Sequence, residues 1–201
     1  MPDIYLTRHG QTVWNTEVRM QGRQNSPLTE EGILGAERLA ESLREIRFSR
    51  CYTSPMPRAV HTALLLLAGR DTPLSISRNL AEMDLGDWEG LSMSDASARF
   101  PEAFTNFRHR PDLYLPTGDG ETFYDLISRA QVFLEELKQI KSDDEPVLVV
   151  THCILLQAIM LLCENRQMPT LRTGQVVDQT TRFRIRWDGH MWNVLEKNIP
   201  G

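Results

Sequence analysis

Val147-Leu148-Val149-Val150 constrains the fold more than any other segment of the chain. Successive side chains of a strand point to opposite faces, so a strand apolar at every position needs cover on both sides. That is the situation of an interior strand in a parallel sheet layered between helices. The polar turn Ser142-Asp143-Asp144-Glu145-Pro146 separates this strand from the helix before it. Everything else in the pattern has to be arranged around that central strand.

The flanking segments supply the other layers. From Thr29, an N-cap residue, Ile33, Ala36, Leu39, Ala40, Leu43 and Ile46 recur at helical spacing with charged residues between them. Thr122 caps a second amphipathic helix through Phe123, Leu126, Ile127, Ala130, Phe133, Leu134, Leu137 and Ile140. Residues 57–68 read as a buried helix that stops at Gly69, and short strand-forming segments stand at 3–7, 50–53 and 74–77. Near the end, 182–187 and 191–196 flank Asp188-Gly189 as a hairpin at a sheet edge. Such an edge is either capped by a loop or paired with another subunit as a homodimer. The alternation predicts an α/β protein, a three-layer α/β/α sandwich with a mainly parallel central sheet. With 201 residues, 41% of them hydrophobic, one domain over 1–201 is expected.

A net charge of −5 argues against a partner that is a nucleic acid or an anionic membrane, because either needs a cationic surface. No run reaches the roughly 18 apolar residues of a spanning helix, and Met1-Pro2-Asp3-Ile4-Tyr5 lacks the plan of a secretory signal, so a cytoplasmic location is expected. Cys51, Cys153 and Cys163 are odd in number and without the spacing of a zinc site. They read as reduced, mostly buried thiols rather than a disulfide framework or a metal centre.

In an open α/β sheet, ligands gather outside the carboxyl ends of the parallel strands. Three strand-to-helix junctions there carry residues suited to an anion: Arg8-His9-Gly10, Ser54 to Arg58, and Thr151-His152. Two guanidinium groups can fork onto phosphoryl oxygens, and helix N-terminal amides add donors. In such a pocket a neutral imidazole is a suitable nucleophile toward phosphorus, with a second histidine stabilising charge. Adjacent arginines disfavour the protonated, non-nucleophilic form of His9. The expelled alkoxide needs a proton. Glu82 is the candidate donor, and on composition Asp84, Asp87 and Glu89 of the same loop compete with it.

Leu6-Thr7-Arg8-His9-Gly10-Gln11-Thr12 with Trp14-Asn15 resembles the signature of the histidine phosphatase superfamily, in the branch named after cofactor-dependent phosphoglycerate mutase. The resemblance continues through Gln21-Gly22, Ser26 to Gly32, Tyr52-Thr53-Ser54, Arg58-Ala59, Thr62-Ala63, the Glu82 to Gly90 loop, Gly120-Glu121-Thr122 and Val149 to His152. Within that branch it is most similar to the broad-specificity phosphatases of the PhoE type. The resemblance implies a phosphoglycerate mutase-like fold, a small phosphorylated metabolite as partner, and no metal or cofactor. It also implies phosphorylation of His9, binding of the transferring group by Arg8, Arg58 and His152, and general acid then base action by Glu82. Asn15, Gln21 and Gly22 are expected in the phosphate pocket.

Two departures stand out. Cys153 replaces the glycine usual after the second histidine, read here as a tolerated buried thiol ahead of a redox-sensitive one. Pro55-Met56-Pro57 is also unusual between Ser54 and Arg58, although proline suits a first helical position. Trp14 and Trp88 read as packing residues, and His61, His109 and His190 as structural. The segment from Phe100 to Gly120, with its basic run Arg108-His109-Arg110, lies where a lid over the site is expected. Two alternatives to hydrolysis stay open. A mutase would return the phosphoryl group to its product, but it generally has long substrate-binding segments that this chain lacks. A catalytically weak phospholigand module has Cys153 in its favour and the full Arg8, His9, Arg58, Glu82 and His152 set against it.

Overall fold

The computed structural model describes residues 1–141, 145–173 and 177–201. The turn expected at 142–144 lies outside the described residues. Six strands, β1 (Ile4–Arg8), β2 (Arg50–Thr53), β3 (Leu74–Ile76), β4 (Val147–Thr151), β5 (Arg182–Trp187) and β6 (Trp192–Ile199), form one sheet in the order β3-β2-β4-β1-β5-β6. β3, β2, β4 and β1 run parallel, while β5 and β6 continue antiparallel as the expected edge hairpin. The sheet is therefore mixed, with its parallel part at the centre.

Helices cover both faces: α1 (Val13–Thr16), α2 (Glu30–Ser42), α3 (Pro57–Leu66), α4 (Met93–Arg99), α5 (Pro101–His109), α6 (Phe123–Lys138) and α7 (Cys153–Cys163). The core divides as the alternation of β4 requires. Val147 and Val149 pack with Phe133 of α6 and Leu155 of α7, whereas Leu148 and Val150 pack with Leu39 of α2 and Ala63 of α3. All five β4 side chains are buried. None of the described helices is long and apolar enough to cross a membrane.

Thr29 and Thr122 cap α2 and α6 as expected, accepting from the amides of Gly32 and Asp125. α2 nevertheless ends at Ser42 rather than reaching Ile46. The Arg70 guanidinium donates to the carbonyls of Leu43 and Ile46, and a cation on the final carbonyls closes a helix. Leu43 is thus buried from a turn instead of a helix. The apolar pattern was correct about burial and too generous about length.

The carboxyl-end rim is set by register. Arg8 stands beside Thr151 and Thr53 beside Val150. The ladders run one residue beyond the strands, since His9 N–H donates to Thr151 O at 2.9 Å and Ser54 N–H to Val150 O at 3.1 Å. Three junctions distant in sequence therefore leave the sheet side by side. Gly10 follows immediately. A Cβ there would stand 2.5 Å from the Gly32 carbonyl oxygen, so only glycine lets β1 turn against the start of α2.

Candidate active site

Arg8, His9, Asn15, Gln21, Gly22, Arg58 and Glu82 all line a single cavity of about 150 Å³ at this rim. His152 is wholly buried against it, its ring 5.1 Å from that of His9 between centroids and inclined by 60°. A larger open depression of about 640 Å³ between α2 and α3 carries both signs of charge but no histidine.

Hydrogen bonding settles the state of His9. Its Nδ1 lies 2.7 Å from the Gly10 carbonyl, which can only accept, so Nδ1 carries the proton and Nε2 keeps its lone pair. Arg58 Nε donates to that lone pair at 3.2 Å. Burial is the main reason that His9 titrates well below its usual range, with Arg58 and then Arg8 adding to the effect and the Gly10 carbonyl opposing it. The imidazole is neutral at neutral pH.

Arg58 is itself fixed as a buried fork, donating through Nη1 to Gln24 O at 2.6 Å and through Nη2 to Gly22 O at 2.7 Å. Burial lowers its pKa to about 10, so it stays charged in the physiological range. Gly22 positions this guanidinium through its carbonyl. Its backbone is left-handed, φ 51°, and an added Cβ would collide with the Glu89 carboxylate. Arg8 is held by its Nη1 bond to Val177 O at 2.7 Å. Thr12 ties the remaining wall together: its side chain caps α1 with Asn15 and accepts from Gln21 Nε2 at 2.8 Å, leaving Gln21 Oε1 buried without a partner.

His152 is the N-cap residue of α7 but does not cap it with its side chain. Its Nε2 is 2.6 Å from Ser54 Oγ, which already accepts from Met56 N–H at 3.2 Å. Nδ1 is buried without a partner, and when the Ser54 hydroxyl donates to Nε2 it is Nδ1 that carries the ring proton. Burial, then Arg58, His9, Arg8 and Arg129, hold His152 well below its usual pKa. Ser54 is placed by the ladder bond of its N–H to Val150 O, and the Pro55-Met56-Pro57 turn follows it, with Pro57 opening α3.

Glu82 takes over the capping that His152 leaves vacant. Its Oε1 accepts from Met83 and Leu155 N–H at 2.9 and 3.2 Å, and its Oε2 from Ile154 N–H at 3.2 Å. The competing carboxylates of the loop are engaged elsewhere. Asp84 pairs with Arg23, Glu89 accepts from the amides of Arg23, Gln24 and Leu85, and Asp87 packs beside Gly118. Among the described residues Glu82 is the one acidic residue on the cavity wall, against Arg8, Arg19, Arg58 and Arg172. Arg129 braces the loop from α6, donating to the carbonyls of Asn79, Ala81 and Glu82 while forked on Glu121.

The model of the histidine phosphatase superfamily, branch 1, matches residues 4–200. The chain belongs to this superfamily. It is 33% identical over 198 residues to a phosphoglycerate mutase-like protein 4 of Arabidopsis thaliana, covering 96% of this chain and 83% of that one. It is 38% identical over 162 residues to a metal-independent phosphoserine phosphatase of the same plant, covering 79% and 67%. Among solved structures, Bacillus stearothermophilus YhfR superposes with a TM-score of 0.95 at 35% identity, over 100% of this chain and 98% of that one.

Some residues of this histidine phosphatase stand apart from the sequence reading. Cys51 and Cys163 are buried, and burial pushes both thiols up to about 12. Cys153, expected to be buried, is partly buried against the core and lines the cavity wall as the first residue of α7. Phe107 of the expected lid also lines the cavity, anchored by the aromatic cluster of Trp88, Phe100, Phe104 and Tyr114. The basic run beside it is exposed, and Arg110 pairs with Asp112. Trp14, Trp88, His61, His109 and His190 do not line the cavity. Leu85 of the Glu82 to Gly90 loop does, and so do Arg19, Met20, Met93, Ile154 and Arg172, to which no motif pointed. Most are members of apolar runs or isolated arginines, and only their place in the fold distinguishes them.

Proposed function

We propose that the protein hydrolyses small phosphomonoesters through a phosphohistidine on His9, with residues 1–201 acting as one histidine phosphatase domain. The observation that carries this reading is the His9 Nε2 lone pair, unprotonated and held by Arg58 at a cavity with four arginines and one carboxylate. Arg8, Arg58 and the unpartnered Nδ1–H of His152 bind the non-bridging phosphoryl oxygens, and Arg58 Nε gives up the imidazole as the substrate enters. Attack by Nε2 forms the N–P bond as the ester P–O bond breaks. Glu82 gives the leaving alkoxide its proton; Oε2, with a single amide donor, has room for it. Water then attacks phosphorus as Glu82 takes its proton, releasing phosphate and restoring His9. Asn15, Gln21 and Gly22 shape the pocket around these groups. The names of relatives as phosphatases support hydrolysis over transfer back to the product.

Hydrolysis of p-nitrophenyl phosphate in excess chelator tests the proposal. The wild type is expected to turn over from mildly acidic to neutral pH, and H9A to be inactive while its melting transition is retained. An inert wild type would sink the hydrolase reading, and an active H9A the choice of nucleophile. Interconversion of monophosphoglycerates without phosphate release would make the protein a mutase.

A further inference from the structure

The cavity contains a cation that the phosphoryl group does not account for. Arg172 enters the wall from the far end of the chain, two residues after the 3-10 turn Met168–Thr170. Its guanidinium lies over the ring of Phe107, 4.9 Å from the centroid, and Nη1 donates to Gln157 Oε1 at 2.6 Å. Nε is buried without a hydrogen-bond partner, and no carboxylate among the described residues forms an ion pair with it. An aromatic face and an amide oxygen hold the group in orientation without neutralising it.

Its side of the cavity is also defined. Arg172 bonds to Gln157 of α7, one turn on from Ile154, whose amide donates to Glu82 Oε2. The guanidinium that meets the nucleophilic nitrogen of His9 is that of Arg58. In an in-line displacement the leaving oxygen departs opposite the attacking nitrogen, and the group that protonates it stands there. Arg172 therefore flanks the leaving group, while Arg8 and Arg58 flank the phosphoryl oxygens. A cavity of about 150 Å³ is small beside the ~300–1,000 Å³ of common ligand sites, so two anionic groups bound in it must be separated by only a few atoms. Arg19, the other arginine of the wall, is already paired with Glu17 at 2.6 Å, so Arg172 stands as a single guanidinium fork that matches a planar monoanion better than a second phosphate dianion.

Resting on the reading that His9 attacks phosphorus, we infer that Arg172 is a specificity residue that binds a carboxylate on the leaving group. The preferred substrates are then short phosphomonoesters carrying a carboxylate a few atoms from the ester oxygen. Phe107 and Gln157 position the guanidinium, and the carboxylate it binds places the ester oxygen near Glu82.

The test compares 3-phosphoglycerate with glycerol 3-phosphate, which has a hydroxymethyl group in place of the carboxylate, and with propane-1,3-diol bisphosphate. Binding by calorimetry and kcat/KM by phosphate release are both measured for wild type, R172M and R172K. Wild type is expected to favour 3-phosphoglycerate over glycerol 3-phosphate by about 10- to 100-fold, the range of a charge-assisted hydrogen bond. R172M should lose that preference, with a larger fall on 3-phosphoglycerate than on glycerol 3-phosphate, and R172K should retain part of it. Equal losses on both monophosphates would overturn the inference, as would the largest loss on the bisphosphate or the absence of a wild-type preference. Lack of phosphate release from every ester would refute hydrolysis, while the binding measurements would still decide the role of Arg172.

Discussion

Replacing Glu82 by glutamine keeps the shape of the side chain and changes one acceptor into a donor. The carboxylate accepts three backbone amides, two of them in the first turn of α7. A glutamine can satisfy Met83 and Leu155 with its single oxygen, but its NH₂ then faces the Ile154 N–H. One helix-start amide loses its acceptor, at a cost of about 1–3 kcal/mol. For a chain of this size that lowers the melting temperature by on the order of 5 °C. The chemical effect is larger, because loss of a general acid typically costs about 10²–10⁴-fold. The two effects separate by leaving group. With enzyme in excess, single-turnover release of glycerol from glycerol 3-phosphate should slow by that factor. Release of nitrophenolate, which departs without a proton, should slow far less. Single-turnover release reads the first step alone and so avoids the second role of Glu82 in the attack by water. Equal slowing for both esters would show that Glu82 acts by holding α7 rather than by donating a proton.

Removing the Ser54 hydroxyl in S54A leaves His152 Nε2 and the Met56 amide without partners, so urea denaturation should show a loss of about 1–3 kcal/mol. kcat/KM should fall with it, and an unchanged midpoint would mean that His152 is held by other contacts. In G10A the added carbon meets backbone at Gly32, and the overpacking should cost about 1–3 kcal/mol in thermal unfolding together with most of the activity. His9 and His152 both titrate well below their usual range in the fold. Below the ordinary imidazole pKa of about 6.5 the unfolded chain therefore binds more protons than the folded one, and stability rises with pH. The histidine contribution should be fully present above that value and decline as pH falls through it, an effect reduced in H9A and H152A melts. A melting temperature independent of pH from 7 to 5 in wild type would contradict this.

The alternation of Val147 to Val150, the threonine caps of α2 and α6, and the edge hairpin were legible in the sequence because each depends on neighbours a few residues away. The meeting of Arg8, His9, Arg58 and His152 was legible for a related reason: the strand-to-helix junctions carrying them are local features, and an α/β sheet brings such junctions to one rim. α7 was less so. It is apolar on nearly every side, buried between sheet and helices, and has no polar stripe to reveal a helical period.

Other features depended on contacts between residues far apart in the chain. Four acidic residues of one loop were indistinguishable by composition. Glu82 alone reaches the cavity because it meets the N-terminus of α7, more than 70 positions later, while Arg23 and the amides near it engage Asp84 and Glu89. Cys153 looked like a buried thiol and became a wall of the site for the same topological reason. Arg172 gave no signal at all, since an isolated arginine acquires meaning only from what it lies against. Read by itself, the sequence determined the layers and the rim at which the candidate site residues meet. Tertiary structure decided the protonated nitrogen of His9, the choice of carboxylate and the extra cation, because these depend on side-chain distances set by the register of β1, β2 and β4.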